Sequence, residues 1–186
     1  MHIQHSQQID GLLTITGTVH EDERGAFEEV FSAPVLGHLF PNGIRQISHS
    51  FNKLGSLRGL HLQTNPGMAK MMRVVRGAAV IVHLDADPTS RTYGGVEKHV
   101  LFEEDTIGLY APPLVARGFL ALDENTVVEY LHSETFNPRS TYTIKWNDPI
   151  LGDVWHLESY RPTYIISEKD RTEGISFADW QDFPRL

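Results

Sequence analysis

The chain has 186 residues, enough for one domain with a buried core, and no cysteine, which excludes a disulfide framework, thiolate metal sites and a cysteine nucleophile. Its 24 acidic residues outnumber 16 lysines and arginines for a formal net charge of -8. With no basic block, this balance argues against a protein that wraps nucleic acid or lies on anionic lipid, while a small anionic ligand can still be held by a few gathered arginines. The first residues lack a basic stretch followed by an apolar run, and no apolar stretch approaches the ~20 residues of a membrane span, so the expectation is a soluble, cytoplasmic protein.

In chain order, short runs rich in β-branched and aromatic residues alternate with turn signals. Residues 14–19, 26–31 and 44–52 read as strands, followed by 55–63, 70–75 and 78–84, the last two hinged at Arg76-Gly77. Residues 98–102, 107–110, 117–122, 127–131 and 142–145 complete a set of eleven. Without helix–strand alternation, such a set predicts an all-β, antiparallel sandwich or barrel of the jelly-roll kind. Helix is expected only in short pieces, 33–39 and 177–183. No repeat or linker marks a second domain, so residues 1–186 read as one. After Asp148-Pro149 the periodicity weakens, and residues 150–186 are expected to pack over the barrel as a C-terminal tail.

The chain is organised around Arg58-Gly59-Leu60-His61-Leu62-Gln63. Strict alternation puts Leu57, Gly59, His61 and Gln63 on one strand face and Arg58, Leu60 and Leu62 on the other. Arg58 and His61 converge only if the strand bulges, and Gly59 is where it can. Six residues alone leave a hydrogen-bonded core histidine equally open. Val128, Tyr130 and His132 share one face, as do Arg117, Phe119 and Ala121. Tyrosine in such a place is usually a packing residue with a satisfied hydroxyl. Lys70, among methionines, either snorkels to the surface or needs an anion or an open cavity. Asp170, within Ser167-Glu168-Lys169-Asp170-Arg171, reads as part of a solvated charge cluster.

A jelly-roll metal site calls for a His-x-His pair, a nearby carboxylate and a later histidine. Here Leu62-Gln63 follow His61 and the later strand supplies Arg117, a cation that would repel an ion. No metal and no other cofactor is expected. There is likewise no Gly-x-Ser-x-Gly elbow, phosphate loop or dinucleotide fingerprint.

Several segments, in order and with nearly matching spacing, carry a family likeness. They are Asp22 to Phe27, Gln46 to His61, Lys70 to Gly77, Pro112-Pro113, Gly118-Phe119-Leu120, Tyr130, Trp146 to Pro149, Gly152, Trp155 and Ser167 to Arg171. From about residue 10 to 171 the chain resembles the nucleotide-sugar 3,5-epimerases typified by dTDP-4-dehydrorhamnose 3,5-epimerase. The resemblance implies a cupin-type jelly roll, a homodimer, no metal, and a nucleoside-diphosphate-4-keto-6-deoxysugar inverted at C3, C5 or both. It implies His61 as base with Asp170 as its carboxylate, Tyr130 as acid on the opposite sugar face and Lys70 beside the developing enolate. Arg58 becomes a substrate-binding arginine. Arg24 and Phe27 sit on an N-terminal arm, about residues 1–32, reaching the partner subunit's nucleotide site. Gln46, Ser48, Arg117 and Lys169 complete the implied substrate-binding set.

Three positions depart from the family pattern. Arg117-Gly118-Phe119 stands for His-Gly-Phe, Thr135 stands where an aromatic stacks on thymine, and Ser48 replaces an asparagine near the nucleotide. Phe136 or Phe51 is then the candidate stacking ring. Two other readings go with the residues: a keto-sugar isomerase of the same fold that moves the carbonyl, and a non-catalytic nucleotide-sugar-binding protein.

Overall fold

The computed structural model describes residues 1–156 and 163–183. Among them are fourteen strands. In order these are β1 (His2–His5), β2 (Leu13–Thr16), β3 (Thr18–Asp22), β4 (Gly25–Glu29), β5 (Gln46–Asn52), β6 (Ser56–Gln63) and β7 (Lys70–Arg76). Then come β8 (Ala78–Asp85), β9 (Val96–Phe102), β10 (Ile107–Ala111), β11 (Val115–Ala121), β12 (Thr126–His132), β13 (Thr141–Thr143) and β14 (Ile165–Ile166). Helix is confined to α1 (Ala33–Leu36), α2 (Glu168–Thr172) and α3 (Phe177–Trp180), with brief 3-10 turns. No helix among the described residues is long and apolar enough to cross a membrane.

One sheet runs β1-β2-β10-β7-β12-β5 and the other β13-β6-β11-β8-β9, antiparallel throughout except where β14 lies parallel to β6. The β3–β4 hairpin forms its own two-stranded sheet. Between the two large sheets, Met72, Val74, Leu109 and Val128 of the first meet Ala79, Ile81, Phe119 and Ala121 of the second. These are the alternate positions that a period-two strand turns to one face. The architecture is a mostly-β, cupin-like pair of facing sheets, as the strand pattern predicts.

Part of each outer face is covered. Leu57, Leu60, Leu62, Val80, Val82 and Leu84 of the second sheet lie beneath Leu151, Trp155 and Trp180. Trp180 is fully buried, and its indole N–H donates to the Ala86 carbonyl at 2.7 Å. Burying one such ring removes enough area from water to contribute roughly 4–6 kcal/mol before entropic costs. On the first sheet, Leu13, Ile15, Met71, Tyr110 and Leu131 pack against Leu36 and Phe40 from the α1 segment.

The structure differs from the strand pattern in a few places. Gly17 divides the run 14–19 into β2 and β3, its N–H donating to the Thr106 carbonyl at 2.7 Å. β13 ends at Thr143, but Ile144 still exchanges both backbone bonds with Leu60 of β6, at 2.8 and 3.1 Å, while it also bridges to Ile175. Polar β1 and two-residue β14 add strands where periodicity gives no signal. The charge cluster 168–172 is the helix α2, whose N-cap hydroxyl, Ser167 Oγ, accepts from the Asp170 N–H at 3.1 Å.

Two local features shape the space between the sheets. In the β6–β11 ladder His61 faces Arg117 and Arg58 faces Phe119, so three steps on β6 match two on β11. This is a one-residue bulge at Gly59-Leu60. Gly59 has φ of 124°, and a Cβ there would lie 2.5 Å from Gly118 Cα. Edge strand β5 reverses the usual polarity of a half-buried strand. Ser48, Ser50 and Asn52 are withdrawn from solvent, while Ile47 and Phe51 are 61% and 75% exposed.

Candidate active site

A cavity of about 290 Å³ opens between the sheets. The second sheet contributes Arg58 and His61 from β6 and Arg117, Gly118 and Phe119 from β11; the first contributes Ser48 and Ser50 from β5, Lys70 and Met72 from β7, and Tyr130 and His132 from β12. The β6 bulge is what brings both Arg58 and His61 to one cavity.

His61 Nε2 lies 2.6 Å from Asp170 Oδ1. Asp170 is 5% exposed, in the first turn of α2, whose neighbours Glu168, Lys169 and Arg171 face solvent. Burial works against its charge, but His61, Ser167 and the Gly59 N–H outweigh that and hold its carboxyl below the usual range. An ionised carboxylate only accepts, so Nε2 carries the proton and Nδ1 keeps a free lone pair. That is the tautomer of a histidine ready to act as a base.

Tyr130 comes from the opposite sheet. Burial pushes its hydroxyl up to about 12, against the hydrogen bond from Ser50 and the charge of Arg58. It is therefore protonated at neutral pH and able to donate. Ser50 Oγ lies 3.0 Å from it.

Lys70 is pulled down to about 7, first by burial and then by Arg117. Arg117 is 3% exposed and is itself lowered by burial to about 10. Its guanidinium donates to the Met68 carbonyl at 3.2 and 3.3 Å and to Pro112 at 3.2 Å, leaving Nε without a partner among the described residues. His132 falls to about 3 through burial, Lys70 and Arg117. Among the described residues no carboxylate lines the cavity wall, so these residues offer cations and donors to an anion and nothing to a second cation.

The structure thus brings together His61, Asp170, Tyr130, Lys70, Arg58, Ser48 and Arg117. Gln46 stands at the margin, donating to Ser48 Oγ at 2.8 Å and accepting from the Phe136 N–H at 3.2 Å. Arg24 and Phe27 lie apart on the β3–β4 hairpin, Arg24 paired with Asp22 and Phe27 70% exposed. Lys169 is on the solvent side of α2. Sequence reasoning passed over Ser50 and Asn52, although their spacing from Ser48 placed all three on one strand face.

Facing antiparallel sheets around a polar cavity, with a His–Asp pair on one wall and a buried tyrosine on the other, define a cupin-like fold equipped for proton transfer. The chain belongs to the dTDP-4-dehydrorhamnose 3,5-epimerase family, whose sequence model matches residues 6–178. It is 36% identical over 167 residues to dTDP-4-dehydrorhamnose 3,5-epimerase of Methanothermobacter thermautotrophicus, covering 88% of each chain. Among solved structures it is similar to an epimerase from Mycobacterium tuberculosis, with TM-score 0.88, 32% identity and coverage of 100% of this chain and 94% of that one. It is also similar to a dTDP-6-deoxy-D-glucose-3,5-epimerase from Legionella pneumophila in complex with dTDP-4-keto-L-rhamnose, with TM-score 0.86, 29% identity and coverage of 100% and 98%.

Proposed function

We propose that the protein is an isomerase that inverts C3, C5 or both in a nucleoside-diphosphate-4-keto-6-deoxysugar. The observation that carries this reading is the placement of the His61–Asp170 pair and the Tyr130 hydroxyl on opposite walls of one cavity. The hydrogen beside the C4 ketone is acidic only to the extent that charge on the ketone oxygen is stabilised as it leaves. His61 Nδ1 takes that proton, the C–H electron pair forms the enolate, and Lys70 with Arg117 holds the oxyanion. Tyr130 then gives its proton to the same carbon from the other face, which inverts the centre. Solvent then takes the proton from His61 and returns one to the Tyr130 phenolate. Asp170 fixes the imidazole tautomer and supports its charged form, as in the catalytic triads.

Proton transfer alone completes the reaction, so this reading takes neither cofactor nor metal. Three cations on the cavity wall would repel a divalent ion, and among the described residues no three His, Asp or Glu side chains are grouped to hold one. Arg58, Gln46, Ser48 and Lys169 are assigned to the nucleotide sugar, and the fit of the Legionella relative to its keto-sugar ligand supports that substrate class. The exposed apolar residues Phe27, Ile47, Phe51 and Val75 support a homodimer in which the Arg24–Phe27 hairpin reaches its partner. The absence of cysteine supports a cytoplasmic setting, and residues 1–186 act as one domain.

The test is incubation with dTDP-, GDP- and CDP-4-keto-6-deoxysugars in deuterated water, with and without exhaustive chelation. Deuterium at C3 or C5 together with inverted product, unaffected by chelation, is the expected result. A relocated ketone would replace this reading with the isomerase of the same fold. Binding without exchange would make the protein a nucleotide-sugar carrier.

A further inference from the structure

Three side chains beside Tyr130 form a hydrogen-bond chain that begins at a group able only to donate. Arg58 Nε lies 2.9 Å from Asn52 Oδ1, Asn52 Nδ2 lies 3.0 Å from Ser50 Oγ, and Ser50 Oγ lies 3.0 Å from the Tyr130 hydroxyl. A guanidinium can only donate, so Asn52 must present its oxygen to Arg58 and its NH₂ to Ser50. That NH₂ also only donates, so Ser50 Oγ accepts from it. Among the described residues the one acceptor then within reach of the Ser50 O–H is the Tyr130 oxygen. Either oxygen can donate in this last contact; the Asn52 bond to Ser50 favours Ser50 as the donor, and Tyr130 then keeps its own O–H for the cavity.

We propose that Ser50 and Asn52, anchored by Arg58, are positioning residues that hold the Tyr130 O–H toward the cavity and stabilise the phenolate left after it donates. This rests on the reading of Tyr130 as the proton donor. The strand geometry supports it. Tyr130 pairs directly with Ser48 across the β12–β5 ladder, so Ser50 is its diagonal neighbour on the same face, within reach of a long aromatic side chain. Asn52 is buried, and its two N–H hydrogens are shared among Ser50 Oγ and the Ser50 and Thr126 carbonyls, the carbonyls at 2.9 and 3.1 Å, so the chain starts from a fixed point. The Ser50 bond also draws the tyrosine's pKa downward, against the burial that raises it. Arg58 also lines the cavity and its terminal nitrogens make no bond among the described residues, which leaves them available to an anion while Nε holds Asn52.

The variants are Ser50→Ala and Ser50→Thr. In Ser50→Ala, Asn52 retains both carbonyl acceptors, so the β5–β12 pairing survives. With a 4-keto substrate in deuterated water, the expected loss of inversion is at least about tenfold, because acid catalysis as a whole is worth about 10²–10⁴-fold. Exchange at the first carbon deprotonated should stay within about twofold of wild type, since His61 and Asp170 are untouched. Ser50→Thr, which keeps the hydroxyl, should restore inversion. The Tyr130 titration, read as the difference from Tyr130→Phe, should move to higher pH in Ser50→Ala. Equal loss of exchange and inversion, loss of neither, failure of Ser50→Thr to rescue, or an unmoved titration would overturn the proposal. If wild-type protein turns over no 4-keto sugar, the proposed function falls, and the tyrosine titration alone decides this inference.

Discussion

Lys70 stands directly opposite His132 in the β7–β12 ladder, so an amine and an imidazole sit side by side with no carboxylate on the cavity wall to neutralise either. Arg117, facing His61 in the other sheet, closes on the same space. Arg117 suppresses the charge of Lys70, both suppress that of His132, and an anion entering the cavity opposes that effect. Ligand binding and proton uptake are therefore linked.

The pH dependence of kcat/KM should show this. That parameter reports the free enzyme, where Lys70 is depressed to about 7. Its ammonium form predominates below that value and is lost above it, so kcat/KM should fall as pH rises through neutrality. Removing the neighbouring positive charge in Arg117→Gln lets Lys70 keep its proton longer and moves the alkaline limb upward. The move should stop well short of an ordinary lysine, because burial is the larger cause. A limb that stayed in place in Arg117→Gln would remove Arg117 from the electrostatics of Lys70.

Substitution should separate the two walls of the cavity. His61→Asn should abolish deuterium exchange, since an amide takes no proton near neutral pH. Asp170→Asn should lower exchange by about 10²–10⁴-fold, because the imidazole loses both its tautomer and its counter-charge. Tyr130→Phe should leave exchange measurable at the first abstracted position and suppress inverted product. Normal inversion by Tyr130→Phe at saturating substrate would transfer the donor role to water or another residue.

Gly59→Ala should be costly to the fold. The new methyl would meet Gly118 Cα at 2.5 Å and the Arg117 carbonyl at 2.9 Å, on a backbone with φ of 124°. Overpacking and backbone strain together should remove roughly 2–5 kcal/mol, read as a lower urea midpoint at unchanged slope. Gly25→Ala is the control: its φ of 128° carries the same strain, but nothing lies within 4 Å of the added methyl. Comparable losses in the two variants would mean that the close approach of β6 and β11 is unimportant.

Assembly should respond to the outer face of β5. Phe51→Glu, combined with Ile47→Lys, places charges where the apolar side chains are most exposed. Light scattering should find a dimer for the wild-type chain and a monomer for the double variant, with little change in the fold of each protomer. A double variant that stayed dimeric at the lowest working concentration would move the interface elsewhere.

Much of this was legible in the sequence wherever periodicity spoke. Short β-rich runs announced the sheets, and Gly59 marked the point at which Arg58 and His61 could converge. Asp170 was not legible from its own surroundings: it reaches His61 across 109 residues of chain, from a cluster whose other charges do face solvent. Only the family likeness singled it out. Ser50 and Asn52 were missed for the opposite reason. Their alternation was plain, but polar residues at alternate positions normally mark the wet side of a strand, and here they mark the inside. Arg117 was correctly set apart as unusual, yet nothing local shows that two backbone carbonyls, from Met68 and Pro112, would hold it.

The reversed polarity of β5 also guards against misfolding. A slip of one residue along β12 would exchange its faces, carrying Ile47 and Phe51 inward and the serines outward. In most sheets such a slip fails because it exposes apolar side chains. Here it would instead wall Lys70 and Arg117 in with hydrocarbon and strip Tyr130 of its hydrogen-bond donor, leaving buried polar groups unsatisfied. The penalty on the wrong register is thus electrostatic, and it falls on the same groups assigned to turnover.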